Sequence, residues 1–517
     1  MKNRIELIFV LIVLVSFPQL SHASNLFTLD IQFKSEPKLV LTHIQAIDKQ
    51  FKVQADSIAP DTSEMRNITS VQMAKEMVPG WNVGNSLEAL PSEISWGNPK
   101  ITQILIDAVK ASGFNSIRIP VAWSKFTDAA NYVIDEAWLD RVEDVVNYVL
   151  SNGMYAIINE HWDNGWIEPT YSKQDEVNKR LAAMWKQIAT RFRDYDDHLL
   201  FAGTNEVHVG YGTPTKEYYT VQNSYNQTFV NAVRSTGGRN YYRHIVVQGY
   251  NTNIDHTINY FVIPHDVVSN RLFVEVHYYD PYNFTLNENS KITQWGKYAT
   301  VPSKTETWAN EAYADAQFKK MKTKFIDKGY AVILGEYGAI ARTNLGSDAL
   351  NAEHAEFRKY YIEYITGSIV KNGLVPYYWD NGGIGNNGFG LFNRANTTQA
   401  YPDIVEAIIN AADTSGVGTA IGTLEQKPAN FSLSQNYPNP FNPETMIAYQ
   451  LPSAGHVTLK IYDILGREVA TLVNNFQNAG NHTVQLSTND YRLSSGIYIY
   501  KISVNDFQSV KKMILMK

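Results

Sequence analysis

The stretch "DEAWLDRVEDVVNYVLSNGMYAIINEH", Asp135 to His161, contains one complete helix and strand pair. Its first part repeats apolar residues at i, i+3, i+4 and i+7 and ends at Gly153, as an amphipathic helix with a terminating glycine does. From Tyr155 an apolar run follows and finishes on the polar His161. The stretch therefore predicts a helix packed on a buried strand, with a polar side chain where the strand ends.

The same pattern recurs along the chain, so one architecture explains most of it. The eight predicted strands are Gly80 to Asn85, Ser116 to Val121, Tyr155 to His161, Leu199 to Glu206, His244 to Gly249, Phe273 to Tyr279, Ala331 to Gly338 and Val375 to Asp380. Alternation with helices over about 350 residues favours an α/β fold, the (β/α)8 TIM barrel. A doubly wound open sheet alternates in the same way, but the glycine fingerprint after its first strand is absent here.

The N-terminal residues resemble an export signal. Residues 1–23 carry Lys2 and Arg4, then an apolar run, then a small-x-small cleavage site, which together predict a signal peptide. A membrane anchor is the alternative, but Glu6 and Pro18 interrupt the run and it is shorter than the roughly 20 residues that a span requires. Residues 24–61 carry no motif and are interpreted as a spacer of unknown role.

The C-terminal residues differ in composition from the barrel, which is predicted to cover 62–412. Residues 413–430 are rich in Gly, Thr and Ser and are interpreted as a linker. Residues 431–517 contain alternating runs such as "HVTLKIYDI" and "GIYIYKISV", separated by turn signals. They predict a small all-β sandwich without a cluster of catalytic residues.

Charge and cysteine content exclude several classes of function. The 517 residues include 51 acidic and 45 basic ones, for a net charge of -6 without blocks of one sign, so no nucleic-acid surface is expected. The absence of cysteine excludes thiol catalysis and thiolate zinc sites, and in an exported chain it favours a bacterial origin. No metal-ligand spacing occurs, so no metal, no cofactor and no membrane span in the mature chain are expected.

Polar residues end the predicted strands, at the end of a barrel where active sites lie. They are Asn82 and Asn85, Arg118, His161, Asn205 and Glu206, His277 and Tyr279, Glu336, and Trp379. A single carboxylate after a strand is more often a helix N-cap or a solvated charge. Glu206 and Glu336 form a candidate pair, because both end strands and only the fold brings them together.

Two facing carboxylates with aromatic residues and no metal ligands favour glycoside hydrolysis. That reaction requires one protonated carboxylic acid and one ionised carboxylate. Arg118 and Tyr279 are expected to stabilise Glu336 as the anion, and its charge helps to keep a proton on Glu206. Asn205 is placed to hydrogen-bond the 2-hydroxyl of a sugar, and Trp379 to form the floor beneath it.

Other residues near strand ends are interpreted as lying outside the site. Glu160 and Glu275 are expected to point away from the pocket that His161 and His277 face, and the glycine-rich segment 381–390 is interpreted as a loop. Among the tryptophans, Trp123, Trp138, Trp185 and Trp308 are assigned to the core, whereas Trp96, Trp166 and Trp295 are left as core or sugar platform.

The segments "GWNVGN", "IRIP", "LLFAGTNE", "HYYDPYNF", "ILGEYG" and "YYWDNG" together resemble the cellulase family 5 of glycoside hydrolases, over about residues 65–412. The resemblance implies a retaining endo-β-1,4-glucanase with Glu206 as acid/base and Glu336 as nucleophile. It places around the cleaved sugar Arg118, His161, Asn205, His277, Tyr279 and Trp379. The chain departs from the family pattern at Val207, where Pro is usual, and at Trp162, where a second His is usual. The segments from Met65 and His277 look like the branch active on cellulose, mixed-linkage glucan and xyloglucan.

The segments "NYPNPFNP", "IYDILGREVATL" and "SGIYIYKI" resemble the C-terminal sorting domain of type IX secretion. The resemblance implies a secreted or cell-surface bacterial enzyme whose partners are a β-glucan and the secretion machinery. A xyloglucanase or a β-mannanase on the same scaffold stays open as an alternative. A non-catalytic glycan-binding protein is the alternative from another class, and the intact Glu206 and Glu336 argue against it.

Overall fold

The computed structural model describes residues 58–413 except 162 and 164, and residues 431–516 except 437, 453, 454, 478, 479, 492 and 506. The predicted signal peptide, nearly all of the predicted spacer and linker, and Trp162 lie outside the described residues. In the part that is described, no helix combines the length and the apolar character that a membrane crossing requires.

Eight parallel strands close into a barrel in which each strand pairs with the next and the last pairs with the first. They are β1 Gly80–Val83, β2 Ser116–Ile119, β3 Tyr155–Asn159, β4 Leu199–Ala202, β5 Ile245–Gln248, β6 Leu272–Tyr278, β7 Ala331–Tyr337 and β8 Val375–Asp380. The predicted α/β class and barrel are confirmed. Most strands end earlier than predicted, because the residues that follow them lie in irregular loop backbone.

Helices and short turns connect the strands on the outside of the barrel. The α-helices are α1 Ser70–Glu76, α2 Gln103–Ala111, α3 Glu136–Leu150, α4 Gln174–Arg191, α5 Lys216–Ser235, α6 Ile254–Tyr260, α7 Tyr282–Thr285, α8 Glu311–Lys324, α9 Asp348–Lys371 and α10 Pro402–Asp413. The 3-10 turns are Ser124–Phe126, Arg239–Tyr241, Tyr250–Thr252, Gly296–Tyr298, Pro302–Lys304 and Ile326–Lys328. A short hairpin, β9 Phe392–Asn393 and β10 Thr398–Gln399, follows β8.

Helix α3 forms where the opening stretch of sequence predicts it. Asp135 caps its N-terminus, since its side chain accepts a hydrogen bond from the backbone of Ala137. The buried residues Trp138, Val142 and Val149 lie on its inner face. The chain leaves the helix and turns at Gly153, whose φ of 64° lies in the left-handed region that suits glycine.

The barrel has an apolar floor and a polar upper end. Inside the barrel, Leu200, Val246 and Ile333 are fully buried, together with Met73 of α1. The Ser70 hydroxyl accepts a hydrogen bond from the amide of Ala331, where β7 begins, so α1 covers the amino ends of the strands. The opposite end, at which the strands finish, therefore remains open to a ligand.

A change of register between β6 and β7 positions one of the candidate catalytic residues. Val276 pairs with Leu334, but His277 pairs with Glu336, so Gly335 is an extra residue on β7. The Asn82 side chain donates to the carbonyl of Gly335 at 2.8 Å. The irregularity turns Glu336 toward the barrel axis beside His277.

The structure decides the open assignment of Trp295 and corrects the assignment of Trp308. Trp295 is 2% exposed and packs edge-on against Tyr361, so it is core. The prediction that Trp308 is core is wrong, because Trp308 is 46% exposed in the loop before α8, where its ring meets Tyr313 edge-on. Trp123, Trp138 and Trp185 are buried as predicted, and Trp96 is 43% exposed.

The C-terminal residues form two antiparallel sheets. Their strands are β11 Ser432–Leu433, β12 Glu444–Leu451, β13 Gly455–Tyr462, β14 Glu468–Gln477, β15 Gly480–Ser487, β16 Gly496–Val504 and β17 Phe507–Leu515, with a helical turn, α11, at Thr488–Tyr491. One sheet has the order β11-β12-β15 and the other β14-β13-β16-β17. Buried residues of both sheets, such as Ile447 and Leu459, form one core that includes Tyr498 and Tyr500.

Candidate active site

A cavity of about 740 Å³ opens at the carboxyl ends of the barrel strands. Six of the eight site residues predicted from the sequence line it: His161, Glu206, His277, Tyr279, Glu336 and Trp379. Asn205 lines an adjoining cavity of about 140 Å³, which Glu206 also lines. Arg118 lies fully buried beneath the residues that line the cavities and contacts Glu336 and Asn205.

Glu336, at the end of β7, is held by cationic and neutral donors. Arg118 donates to its Oε1 at 3.0 Å, and Tyr279 donates to its Oε2 at 3.2 Å. Arg118 in turn is oriented by Asn82, whose Oδ1 accepts from the same guanidinium nitrogen at 3.0 Å. The two donors, one of them a guanidinium, fix the carboxylate in orientation and oppose the effect of burial on its protonation.

Glu206 approaches Glu336 from the loop that follows β4. Its φ is 48°, a left-handed conformation that costs a non-glycine residue about 1–3 kcal/mol, so the surrounding contacts must hold it. His277 Nδ1 lies 2.6 Å from Glu206 Oε1. One carboxylate oxygen of Glu206 and one of Glu336 lie within 4.8 Å of each other. The side chain of Glu206 is 37% exposed, so it faces the open cavity.

The electrostatic balance of the site centres on His277. Burial lowers its pKa, but the Glu336 charge and the hydrogen bonds to Glu206 and Glu275 outweigh burial and raise the pKa to about 9. Burial raises the pKa of Glu206, yet the hydrogen bond from His277 and the charges of His277 and Arg118 together outweigh burial and hold the pKa below its usual value. Burial raises the pKa of Glu336 above its usual value, because burial outweighs the opposing charges of His277 and Arg118. The expectation that the Glu336 charge keeps a proton on Glu206 is therefore wrong for this arrangement, because His277 and Arg118 hold the pKa of Glu206 down. At neutral pH a protonated imidazole therefore faces Glu206.

Asn205 is oriented by a hydrogen bond that directs its amide nitrogen away from Arg118. Arg118 donates to Asn205 Oδ1, so the Nδ2 group points the other way, as a donor. Asn205 lies next to Glu206 in the chain, and both line the smaller cavity. Asn205 and Glu206 therefore present a donor and a carboxylate to the same space.

Trp379 and His161 form flat surfaces on one side of the cavity. Their rings are parallel within 5°, with centroids 5.8 Å apart. A Cβ at Gly84 would lie 2.7 Å from the Trp379 ring, so glycine is required there to let the indole pack. Burial and the Arg118 charge lower the pKa of His161 well below its usual range, so this imidazole is neutral.

The expectation that Glu275 points away from the pocket is wrong. Its Oε1 lies 2.9 Å from Arg118 Nε and 3.2 Å from His277 Nε2, inside the barrel. Residues two apart in a strand share a face, so the spacing of Glu275 and His277 was the signal that would have revealed it. Glu160 lies outside the main cavity, but it lines the smaller one, where Trp166 donates to it at 2.9 Å.

Glu206, His277 and Glu336 are also spaced closely enough to ligate one cation. The short His277–Glu206 contact already pairs two of these donors, and the adjacent Arg118 guanidinium opposes a second positive charge. This set of two carboxylates and one imidazole therefore suits proton transfer better than metal binding.

The sequence matches the family model of cellulase, glycosyl hydrolase family 5, over residues 79–385. The chain belongs to glycosyl hydrolase family 5. It is 44% identical over 373 residues to a xyloglucan-specific endo-β-1,4-glucanase of Bacteroides ovatus. The aligned region covers 69% of this chain and 73% of that protein. It is 42% identical over 375 residues to endoglucanase A of Paenibacillus barcinonensis, covering 68% of this chain and 92% of that protein.

Solved structures of family 5 enzymes resemble the barrel. A Bacteroides ovatus family 5 xyloglucanase in complex with a XXXG heptasaccharide has a TM-score of 0.66 and 44% identity, over 69% of this chain and 79% of that one. A broad-specificity endoglucanase of Clostridium acetobutylicum has a TM-score of 0.60 and 37% identity, over 66% of this chain and all of that one (100%). This family 5 protein is a glycoside hydrolase with a polysaccharide substrate.

Residues 435–516 match a second family model, the secretion system C-terminal sorting domain. The match agrees with the resemblance to the type IX sorting domain, and the family 5 enzyme is therefore a secreted or cell-surface protein. The tail addresses the chain to a secretion system, whereas the barrel carries the site.

Proposed function

We propose that this enzyme is a secreted, retaining endo-β-1,4-glucanase that cleaves internal bonds of cellulose and related β-glucans. The observation that carries the proposal is the pair Glu206 and Glu336, with carboxylate oxygens within 4.8 Å of each other. Retaining glycosidases hold their carboxyl groups about 5–5.5 Å apart, whereas inverting ones leave about 6.5–9.5 Å for a water molecule. The short separation supports direct attack by one carboxylate.

Glu336 is the nucleophile and Glu206 the acid in the first step. Glu336 forms a bond to the anomeric carbon while Glu206 gives a proton to the departing glycosidic oxygen. Arg118 and Tyr279, which donate to Glu336, keep it ionised and directed. The products are a glycosyl ester on Glu336 and a released chain with a free hydroxyl.

Water completes the reaction in the second step. Glu206, now a carboxylate, takes a proton from water as the oxygen attacks the anomeric carbon, and the bond to Glu336 breaks. Asn205 donates to the 2-hydroxyl of the sugar, a contact that strengthens as positive charge develops on the ring. Trp379 supports the apolar face of that sugar.

The shape of the cavity supports a polymer with substituents as well as a plain chain. The main cavity extends from the catalytic pair past Tyr211, which is 79% exposed, and Tyr282, which is 57% exposed. Exposed aromatic faces suit stacking on sugar rings. Xyloglucan is the second candidate substrate, favoured by the 44% identity to a xyloglucan-specific enzyme. A β-mannanase activity keeps the same catalytic pair, and the glycan-binding alternative predicts no hydrolysis.

The polymer is tested with purified protein on cellulose, mixed-linkage glucan, xyloglucan, mannan and xylan. Fastest release of reducing ends from β-1,4-glucans supports the proposal. A clear preference for mannan would make the enzyme a β-mannanase, and absence of hydrolysis on every polymer would favour the binding protein.

The roles of the two carboxylates are tested by removing each one. Glu336→Gln is expected to abolish turnover, because no nucleophile remains. Glu206→Ala is expected to lose most activity on poor leaving groups and to recover partly with azide, which attacks the ester without a general base. Near-wild-type turnover of Glu336→Gln would show that the nucleophile is another residue.

A further inference from the structure

Glu275 is a charged side chain that the two-step mechanism leaves without a role. It lies on β6, its side chain is fully buried, and it contacts groups from several strands of the barrel. Burying an ionised carboxylate is costly unless partners compensate it. Burial alone raises the pKa of Glu275, but Arg118 and His277 outweigh burial and hold the pKa below its usual value. The carboxylate is therefore a buried anion at neutral pH.

The interior of the barrel provides both space and hydrogen-bond donors for this carboxylate. A Cβ at Gly335 would lie 2.0 Å from Glu275 Oε1, so the extra glycine of β7 creates the space that the side chain fills. From β5, Gln248 donates to Glu275 Oε2 at 2.6 Å. From β2, Arg118 forms an ion pair at 2.9 Å with Oε1. The position of the carboxylate is thus fixed on both oxygens.

Glu275 determines which nitrogen of His277 faces the catalytic acid. Nε2 of His277 lies 3.2 Å from Glu275 Oε1, and Nδ1 lies 2.6 Å from Glu206 Oε1. A carboxylate only accepts hydrogen bonds, so the Nε2 facing Glu275 carries a hydrogen. The Nδ1 atom then either gives a proton to Glu206 or receives one from it. The imidazole and Glu206 share one proton along this contact.

We propose that Glu275 is a positioning residue of the hydrolysis, which holds His277 so that the His277–Glu206 pair stores the proton for the leaving oxygen. The inference rests on the proposed function, because it assigns the acid role to Glu206. In the first step the shared proton moves from Nδ1 to Glu206, and Glu206 passes this same proton to the glycosidic oxygen as the C–O bond breaks. In the second step the proton that Glu206 takes from water restores the pair, and the hydroxyl bonds to the anomeric carbon as the bond to Glu336 breaks.

Other groups around the pair also bear on its protonation. His277 faces Glu336, with 3.7 Å between Nδ1 and Oε2. Two further charged groups act on Glu275 and His277, namely Arg118 from β2 and Glu336 from β7. Two neutral groups also lie near them: His161, just after β3, and Tyr377 on β8. Removing Glu275 takes away one of the anions that stabilise the imidazolium. The pair must then lose its proton at a lower pH.

Glu275→Gln tests this, because glutamine keeps the size of the side chain and removes only its charge. The basic limb of kcat/KM against pH on a soluble β-glucan is expected to move about one unit or more to lower pH. Activity on the glucan is expected to fall about 10- to 100-fold, with a smaller fall on an aryl cellobioside whose leaving group requires little protonation. Glu93→Gln is the matched control, since Glu93 is a buried carboxylate paired with Arg141 at 2.8 Å and makes no contact with the described site. Its basic limb should not move.

A second measurement keeps the inference testable if Glu275→Gln does not fold. In the wild-type enzyme, 15N NMR of the histidine side chains is expected to show His277 with both nitrogens protonated at pH 7. Gly335→Ala, which displaces Glu275 without removing its charge, is expected to shift the basic limb in the same direction as Glu275→Gln. A neutral His277 at pH 7, or an unmoved basic limb in a folded Glu275→Gln, would overturn the positioning role. If the wild-type enzyme hydrolyses no glucan, the proposed function fails instead.

Discussion

Arg118→Met should weaken both the fold and the nucleophile, because one buried guanidinium serves two carboxylates. Arg118 lies 2.9 Å from Glu275 and 3.0 Å from Glu336, and its side chain is fully buried. Removing one partner of a buried ion pair costs about 3–5 kcal/mol, since a charge is left uncompensated. Unfolding entropy of about 2.1 cal/mol/K per residue over a barrel of about 350 residues converts this to a fall in Tm of about 4–7 °C.

The same substitution has a kinetic effect of predictable sign. The Arg118 charge lowers the pKa of Glu336, so its loss raises that pKa and leaves less nucleophile ionised at a given pH. The acid limb of kcat/KM against pH should move up by about 1–3 units. Calorimetry and a pH series on soluble β-glucan measure the two effects.

Arg141→Met is the matched control for Arg118→Met. Arg141 also pairs with a buried glutamate, Glu93, at 2.8 Å, but the pair lies apart from the catalytic residues. It should lower Tm and leave the acid limb unchanged. A folded Arg118→Met enzyme with an unmoved acid limb would refute the reasoning that Arg118 keeps Glu336 ionised.

Three further outcomes are expected. Trp379→Ala should raise KM at least 10-fold through the loss of the stacking face, whereas Trp379→Phe should retain most affinity; equal losses would remove the stacking role. Deleting residues 431–517 should leave hydrolysis of soluble glucan unchanged and retain the enzyme within the cell envelope of its host; normal release with lost binding to insoluble cellulose would make the tail a carbohydrate-binding module. Burial lowers the pKa of His354 to about 4, below the value of about 6.5 in an unfolded chain, so protonation favours unfolding as pH falls from 6.5 to 4. In His354→Gln, chemical denaturation should show a pH dependence smaller by about 3 kcal/mol over that range, and an unchanged dependence would contradict this.

The sequence was sufficient to predict the barrel, because apolar strand-like runs alternate with segments of helical apolar spacing along the chain. Strand ends were less predictable: β4 stops at Ala202, and Glu206 adopts a left-handed φ of 48° that no local pattern encodes. In the tail, β14 and β17 were not predicted, since their exposed positions interrupt the apolar alternation, as in the run from Glu468 to Gln477.

The site residues were predictable because they lie near the carboxyl ends of the strands or just after them, and the structure brings all eight of them together. Their mutual orientation depends on the register change at Gly335 and on contacts between residues more than 200 positions apart, such as Arg118 and Glu336. Glu275 was misplaced because it and His277 were assigned to opposite faces of their strand, although residues two apart lie on the same face. The Arg118–Glu336 contact, in contrast, follows from tertiary structure and not from sequence spacing.

The central claim is double displacement by Glu336 and Glu206, and the anomeric configuration of the first product tests it most directly. Proton NMR recorded within the first minutes of hydrolysis of a soluble β-1,4-glucan resolves the two anomers of the new reducing end before mutarotation mixes them. The close carboxylates predict that the β-anomer forms first, because two displacements retain the configuration. Initial formation of the α-anomer would show that water attacks directly, and would contradict the assignment of Glu336 as the nucleophile.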